Sequence, residues 1–251
     1  VPVEDRDRFK RWSDTLVEAT SGDEDTAEYT ERQREVQMEM ATYFFEMIAD
    51  RRESPQDDLM SQIVTAELAD GSRLSQEEVL GTSILLLIAG NITTTNLITN
   101  AVRCFDNHDL FDDLRRGETK LQTAIEEVLR YRSPVQAISR VATEDVTIQG
   151  ETIESGDRVI AWMGSANRDD RQFDDAETFV PDRTPNQHLG FGHGTHYCLG
   201  APLARLEAAV AFEELLDRTR TIEMVETELQ PTRSSLVYGV ESLPITYETG
   251  E

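Results

Sequence analysis

Cysteine, lysine and histidine are scarce in this 251-residue sequence, which contains two cysteines, two lysines and four histidines. Two cysteines cannot build a disulfide framework, and such sparing use is typical of proteins from a reducing compartment. No basic and apolar segment of the signal-peptide type stands at the front. These features predict a cytoplasmic protein. Internal repeats and low-complexity tracts are also lacking, so we expect one domain over residues 1–251.

Positive charge is in short supply as well. The sequence has 24 Lys and Arg residues against 49 Asp and Glu residues, which gives a net charge of −25. The acidic residues are spread along the chain, which argues against nucleic acid or an anionic membrane as a partner. Concentrated salt screens repulsion between like charges, with a screening length of about 3 Å at 1 M. The composition therefore favours a halophilic protein over an ordinary acidic one.

Charge is missing altogether from residues 79–102, a 24-residue stretch that is long enough to cross a bilayer. Polar residues interrupt it at nine positions: Thr82, Ser83, Asn91, Thr93, Thr94, Thr95, Asn96, Thr99 and Asn100. Because so many polar side chains are expensive in lipid, the stretch predicts a helix buried in protein and no membrane partner. Ser75 and Glu78 form a capping-box pattern at its start.

Residue patterns divide the chain into helical and strand regions. Apolar residues at helical spacing predict a helical region over 1–133, broken at SGDED and RRESPQDD. Period-two alternation predicts small strands in 134–164, and residues 165–200 predict a long loop. A helix over 201–220 follows, with Pro202 in its first turn and an apolar face through Leu203, Leu206, Val210 and Leu215. Strand-like residues return at 221–250, so the predicted fold class is mainly α with small β-sheets.

The loop GFGHGTHYCLG at 190–200 holds Cys198 just before the last helix. Free backbone N–H groups and the helix dipole stabilise a thiolate there, and the glycines let the backbone approach a bulky, flat group. One thiolate with backbone donors directed at it suits a single axial bond to a haem iron. Three alternatives stay open: a zinc site with His188, His193 and His196, a cysteine nucleophile with a histidine base, and a buried structural thiol.

The longer stretch LGFGHGTHYCLGAPLAR resembles the haem-binding signature of the cytochromes P450 in its bacterial and archaeal form. The resemblance implies that Cys198 is the axial ligand of the iron in haem b. It also implies that Phe191 packs beside the sulfur, that His196 reaches a haem propionate, and that Gly192 and Gly200 lie against the cofactor.

The stretch EEVLRY resembles the Glu-x-x-Arg helix of the same family. The resemblance implies that Glu127 and Arg130 form a structural pair that holds the loop before the cysteine. Taken alone, two such residues three positions apart more often form a weak surface salt bridge. The family often adds a third Arg or His, and here Thr178 stands at that place, with Arg183 close to it in the sequence.

The stretch SPVQAISRV resembles the segment that follows this helix in the family. By position, Arg140 would bind the second propionate. The resemblance assigns seven residues to the substrate pocket: Ile92, Val135, Gln136, Ala137, Ile138, Leu236 and Val237.

The stretch LLLIAGNITTTNLITN resembles the long helix that crosses the distal face of the haem. The small residues Ala89 and Gly90 would leave room for dioxygen and substrate. The hydroxyl of Thr93, followed by Thr94, would help to deliver protons to bound oxygen. The family usually has an Asp or Glu directly before this threonine, whereas this chain has Ile92, so the usual relay of an acid and an alcohol is broken.

The resemblance implies a haem-thiolate monooxygenase that uses O2, a small apolar organic substrate and electrons from a ferredoxin-type donor. The alternatives are a peroxide-using or non-oxygenase member of the family, which Ile92 favours, and a non-catalytic remnant. The resemblance begins at about Asp5, in the middle of the family fold, which implies a P450 fold truncated at the N-terminus. We therefore expect weak or absent haem uptake by these 251 residues.

Overall fold

The computed structural model describes residues 2–18, 27–225 and 228–250. The predicted polar break SGDED, and Glu226 and Thr227 of the predicted C-terminal strands, lie outside the described residues. Contacts divide the chain into two compact units, Val1–Ile92 and Thr93–Glu251, and each is described by itself.

The first unit is helical. After a short 3-10 turn at Val3–Asp5 it contains α1 (Arg6–Glu18), α2 (Ala27–Glu53), α3 (Leu59–Thr65) and the first part of α4 (Gln76–Asn107). Apolar residues three or four positions apart share one face of a helix. On that principle Phe9 and Trp12 of α1 pack in one core cluster with Val36, Met40 and Phe44 of α2.

Helix α4 begins with the capping box that its sequence predicts. The N–H of Glu78 donates to Ser75 Oγ at 3.2 Å, and the N–H of Ser75 donates to the Glu78 carboxylate at 2.8 Å. Val79 is fully buried, but Leu85 is 65% and Leu86 39% exposed. The prediction of burial in protein is therefore wrong for the middle of α4, because lack of charge alone does not require burial. By length and composition this described helix is also capable of crossing a membrane, with 22% of its most apolar window buried.

The second unit contains the end of α4, α5 (Phe111–Arg116), α6 (Leu121–Tyr131), α7 (Met163–Ala166) and α8 (Ala201–Arg218). Its main core joins buried residues of α4, α5, α6 and α8. Within it, α6 contributes Ile125, Val128 and Leu129, and α8 contributes Ala208 and Phe212. Helix α6 thereby holds its polar residues Glu126, Glu127 and Arg130 next to the loops that precede α8.

The face that α8 buries is not the one that the sequence predicts. Leu203 and Leu206 are 57% and 58% exposed and Val210 is exposed, whereas Ala208 and Phe212 are fully buried. The ring of Phe212 packs against that of Phe105 with ring centres 5.0 Å apart. The rotation of α8 is therefore set by its packing partners rather than by its count of leucines.

The described strands form three two-stranded antiparallel sheets. They pair β1 (Ala137–Val141) with β4 (Arg158–Trp162), β2 (Val146–Ile148) with β3 (Glu151–Ile153), and β5 (Thr219–Met224) with β6 (Ile245–Thr249). The predicted class, mainly α with small sheets, is confirmed. Between β2 and β3, Gln149 and Gly150 have φ values of 51° and 91°, the left-handed pair of a tight hairpin turn.

Two element boundaries differ from those that the sequence predicts. Helix α8 ends at Arg218 and β5 begins at Thr219, rather than at 220 and 221. Thr219 causes the earlier switch, because its Oγ1 donates to the carbonyl of Leu215 at 2.6 Å while its backbone pairs with Thr249. Residues 163–166, expected as the end of a strand and the start of a loop, form the short helix α7.

Candidate functional site

Glu127 and Arg130 of α6 form an ion pair in the interior of the second unit, with 0% of either side chain exposed. Arg130 Nε and Nη2 donate to the two carboxylate oxygens at 2.8 Å. Its other N–H groups donate to the carbonyls of Asn167, Ala176 and Thr178 at 2.7–2.8 Å. A buried ion pair stabilises a fold only when its remaining donors find acceptors, and all five donors of this guanidinium do. The pair is therefore not the weak surface salt bridge that spacing alone favours.

The third member of this network is Arg183. Its Nε lies 3.1 Å from each oxygen of Glu127. The same carboxylate accepts hydrogen bonds from the N–H of Val180 at 2.9 Å and from Asn186 Nδ2 at 3.1 Å. Thr178, which stands at the family's usual place, takes part through its backbone carbonyl. The irregular segment before the cysteine loop is thus fastened to α6.

Glu126, the neighbour of Glu127, connects both ends of the cysteine loop to α6. Its carboxylate accepts hydrogen bonds from His188 Nε2 at 2.9 Å and from Arg205 Nε and Nη2 at 2.6 and 2.9 Å. His188 Nδ1 accepts from the N–H of Gly190 at 3.1 Å, so the network assigns the proton of the neutral ring to Nε2. Burial opposes ionisation of Glu126, but the hydrogen bonds from Arg205 and His188 outweigh it and lower the pKa to about 2.

Arg205 also holds the loop directly. Its guanidinium lies 4.5 Å from the centre of the Phe191 ring, and its Nη1 donates to the hydroxyl of Tyr197 at 3.4 Å. The hydrogen bond to Glu126 raises the pKa of Arg205 above its usual range. Sequence reasoning missed Glu126 and Arg205 and placed His188 only in a zinc site. The available signal was their position, since His188 and Arg205 flank the glycine-rich loop.

Cys198 lies at the surface with a free thiol, three residues before α8. Its N–H donates to the carbonyl of Phe191 at 2.9 Å, which closes the loop. Gly192 has a φ of 76°, which favours glycine strongly. A Cβ added to Gly200 would lie 3.9 Å from Cys198 Sγ. Phe191, expected beside the sulfur, packs partly buried against the main core of the second unit.

The alternatives for this loop are separated by burial and contacts. A buried structural thiol is wrong for Cys198, because the buried cysteine is Cys104, whose pKa burial raises to about 12. Within the described ranges no group of three or more His, Cys, Asp and Glu side chains is placed to hold a metal ion. His188, one of the proposed zinc ligands, is bound to Glu126. These contacts argue against the zinc site and leave haem ligation and a nucleophile.

Two candidates for binding carboxylates also lie at the surface of this unit. Arg140 on β1 is exposed, and its Nη1 donates to the carbonyl of Ser139 at 2.8 Å. His196 is exposed at the end of a 3-10 turn at Gly194–His196. One free thiol at the start of a helix, together with a guanidinium and an imidazole open to solvent, is a donor set that fits a haem with a thiolate ligand and two propionates.

The residues predicted around the substrate pocket in the second unit come from two chain segments, 135–138 and 236–237. Val135 forms a bridge with Val237, and the N–H of Gln136 donates to the carbonyl of Leu236 at 2.8 Å. The side chain of Gln136 turns back to its own segment, where its amide donates to the carbonyl of Ser133 at 2.6 Å. Successive side chains of an extended chain face opposite sides, so Gln136 does not share the side of Val135. Of the remaining two, Ala137 is buried and Ile138 partly buried.

The predicted distal residues lie on α4. Ala89, Gly90 and Ile92 belong to the first unit, and Thr93 and Thr94 begin the second. Ala89 and Gly90 are exposed, whereas the other three are partly buried. A Cβ added to Gly90 would meet no described atom within 4 Å, so packing in the described chain does not account for a glycine there. The assignment of these five residues to the distal side stays a prediction.

Comparison with known proteins finds the same family that the sequence motifs resemble. The family model "Cytochrome P450" matches residues 119–247. Cytochrome P450 109 of Bacillus spizizenii is 43% identical over 249 residues, which cover 97% of this chain and 61% of that protein. Mycinamicin IV hydroxylase/epoxidase of Micromonospora griseorubida is 42% identical over 254 residues, covering 98% of this chain and 62% of that protein.

Solved structures show the same relationship. The crystal structure of CYP109E1 from Bacillus megaterium in complex with corticosterone superimposes with a TM-score of 0.86 at 45% identity. The match covers 98% of this chain and 66% of that one. The chain thus spans about three fifths of the length of the curated relatives that it matches.

Proposed function

This chain belongs to the cytochrome P450 family and has its fold, and from that premise we propose that the protein is a haem-thiolate monooxygenase. Its cofactor is haem b, its substrates are O2 and a small apolar organic molecule, and its electrons come from a ferredoxin-type donor. The observation that carries the proposal is the free surface thiol of Cys198, in a loop whose two flanks Glu126 holds through His188 and Arg205.

In this proposal Cys198 supplies the thiolate that binds the iron. Its position three residues before α8 places it near the positive end of the helix dipole, which favours a negatively charged ligand. Arg140 and His196 would bind the propionates, and Phe191, Gly192 and Gly200 would lie against the haem. The haem, when bound, supplies the oxygen activation and electron transfer. The clamp at Glu126 fixes the position of the ligand loop, because precise placement of a ligand depends on its supporting contacts.

The proposal keeps the roles that the resemblance gives to residues of α4: Ala89 and Gly90 would leave space for substrate, and the hydroxyl of Thr93 would hold a proton. Ile92 has no proton to pass to Thr93, so protons reach the site from solvent or past Asn91. The amide of Asn91 donates to Ser13 Oγ at 3.1 Å, which fixes one orientation of its side chain. Ile92 is also the observation that favours a second candidate function, oxidation driven by peroxide, which needs no such relay.

The remaining parts of the proposal rest on composition and relatives. An apolar substrate is supported by the corticosterone complex of CYP109E1 from Bacillus megaterium. A net charge of −25 supports a halophilic protein that binds neither nucleic acid nor an anionic membrane, and the scarcity of cysteine supports a cytoplasmic one.

The two cysteines give the test a matched pair of variants. The 251-residue chain is incubated with excess haem, reduced and exposed to CO. Because weak haem uptake is expected of these 251 residues, haem is used in excess. A small band at the position typical of thiolate-ligated haem should then appear in wild type and in Cys104→Ala and be lost in Cys198→Ala. A band of equal size in Cys198→Ala would overturn the ligand assignment, and no band in wild type at saturating haem would contradict the proposal for this chain. Alkylation of Cys198, slowed by bound haem, gives a second readout.

A further inference from the structure

A pocket of about 250 Å3 lies in the second unit, where α6 ends. Three arginines, two tyrosines, Gln136 and Gly164 line it, and no Asp or Glu is among these lining residues. We propose that this pocket binds a small oxyanion of the phosphate type, with Arg132 as its main ligand.

The three arginines differ in how far their charge is already used. Arg130 is saturated by Glu127 and three carbonyls. Arg168 donates to Glu177 at 2.5 Å and to the carbonyl of Tyr131 at 2.6 Å. Carboxylates within the described chain thus balance the charges of Arg130 and Arg168, and only the charge of Arg132 remains among the three lining arginines.

Arg132 has no carboxylate partner among the described residues. Its Nη1 donates to the hydroxyl of Tyr238 at 2.6 Å, and its buried Nε lacks a hydrogen-bond partner. The thiol of Cys104 also lies next to the Arg132 guanidinium, but burial keeps this thiol neutral, so it does not balance the positive charge of Arg132. The chain has 49 acidic and 24 basic residues, so a half-buried arginine that pairs with no carboxylate is unusual in it. A bound anion would supply the missing negative charge and hydrogen-bond acceptors.

The walls of the pocket hold Arg132 in place. Its guanidinium lies 5.8 Å from the ring centres of both Tyr131 and Tyr238, while Arg168 stacks over Tyr131 at 3.9 Å. A Cβ added to Gly164 would lie 2.0 Å from Gln136 Oε1, so glycine is what allows Gln136 to form this wall. A planar guanidinium held by rings can offer parallel N–H groups to two oxygens of one anion with little loss of side-chain freedom.

Binding would also tie a chain segment to α6. The N–H of Tyr238 donates to the carbonyl of Pro134 at 2.8 Å, and its carbonyl accepts from Asn100 Nδ2 at 3.1 Å. Tyr238 follows Val237, which pairs with Val135. An anion bound to Arg132 would therefore stabilise the segment around Val237, which the proposed function assigns to the substrate pocket. The anion site itself needs neither haem nor substrate.

The experiment is a titration of the 251-residue chain with inorganic phosphate, followed by calorimetry and by the melting temperature. Potassium chloride and potassium acetate at matched ionic strength serve as references, because screening alone stabilises so acidic a protein. We expect phosphate to raise the melting temperature beyond chloride, with acetate showing whether carboxylates share the site. Arg132→Gln should raise the dissociation constant for phosphate at least tenfold, and Arg132→Lys should weaken binding less.

Arg158→Gln on β4 is the matched control, since it removes one exposed positive charge outside the pocket. It should bind phosphate as wild type does. Equal effects of phosphate and chloride on wild type, or unchanged phosphate binding in Arg132→Gln and Arg132→Lys, would overturn the proposal. Because binding is measured directly in wild type, loss of folding in one variant does not protect the proposal.

Discussion

Replacing Glu126 with glutamine keeps the size of the side chain and removes the charge that joins His188 and Arg205 to α6. A hydrogen bond to a charged group contributes roughly 1.5–3 kcal/mol. Glu126 is 29% exposed, Arg205 35% and His188 4%, so solvent weakens the pair with Arg205. We therefore expect Glu126→Gln to lower the free energy of unfolding by about 2 kcal/mol near neutral pH.

The pH dependence of this loss gives a sharper check. The hydrogen bonds lower the pKa of Glu126 from 4.5 to about 2 in the folded chain. Its stabilisation is therefore complete above the unfolded value of 4.5 and is lost as the pH falls toward 2. Glutamine does not titrate, so the difference in stability between wild type and variant should be constant above about pH 5.5 and shrink below about pH 4.5.

Urea unfolding followed by circular dichroism at several pH values measures this difference. Glu213→Gln on the exposed side of α8 is the control for loss of one negative charge, and should change stability little at any pH. Equal stability of wild type and Glu126→Gln near neutral pH would refute the reasoning. So would a stability difference that stays the same as the pH falls to about 3.

Two further predictions concern salt and proton delivery. The melting temperature should rise from dilute to molar KCl, because 49 acidic side chains repel one another less when screened; a flat or falling curve would count against a halophilic protein. Ile92→Glu should raise the fraction of electrons that end in oxidised substrate, measured per folded haem, and Thr93→Ala should lower it. If neither substitution changes that fraction, the relay is not used and peroxide-driven oxidation becomes the better proposal.

The sequence predicted best those features whose partners are close in the chain. The capping box of Ser75 and Glu78 formed as expected because both hydrogen bonds span three residues. The buried face of α8 was missed because it depends on how Phe212 meets residues such as Phe105 on α4, with ring centres 5.0 Å apart. No local pattern contains that information.

The candidate site shows the same limit. Glycine spacing and a resemblance located Cys198 and its loop, and the resemblance also indicated the pair of Glu127 and Arg130, but neither indicated Glu126 or Arg205. Glu126 is separated from His188 by 62 positions and from Arg205 by 79. Arg183 is 56 positions from Glu127; the sequence showed only that Thr178 occupies the family's usual place and that Arg183 is close to it. These contacts depend on which distant segments the fold brings together, and a single sequence shows only which residue types are available for them.

The network around Glu127 and Arg130 has a consequence for how the protein opens. Residues 167–186 contain little regular structure, yet several of their carbonyl and N–H groups end on this one buried pair. The segment cannot separate from α6 without breaking the hydrogen bonds that its carbonyl and N–H groups make to this charged pair, each of which contributes roughly 1.5–3 kcal/mol. The coil and α6 therefore form a single cooperative unit, and stretches that look like surface loop open only when the core itself opens.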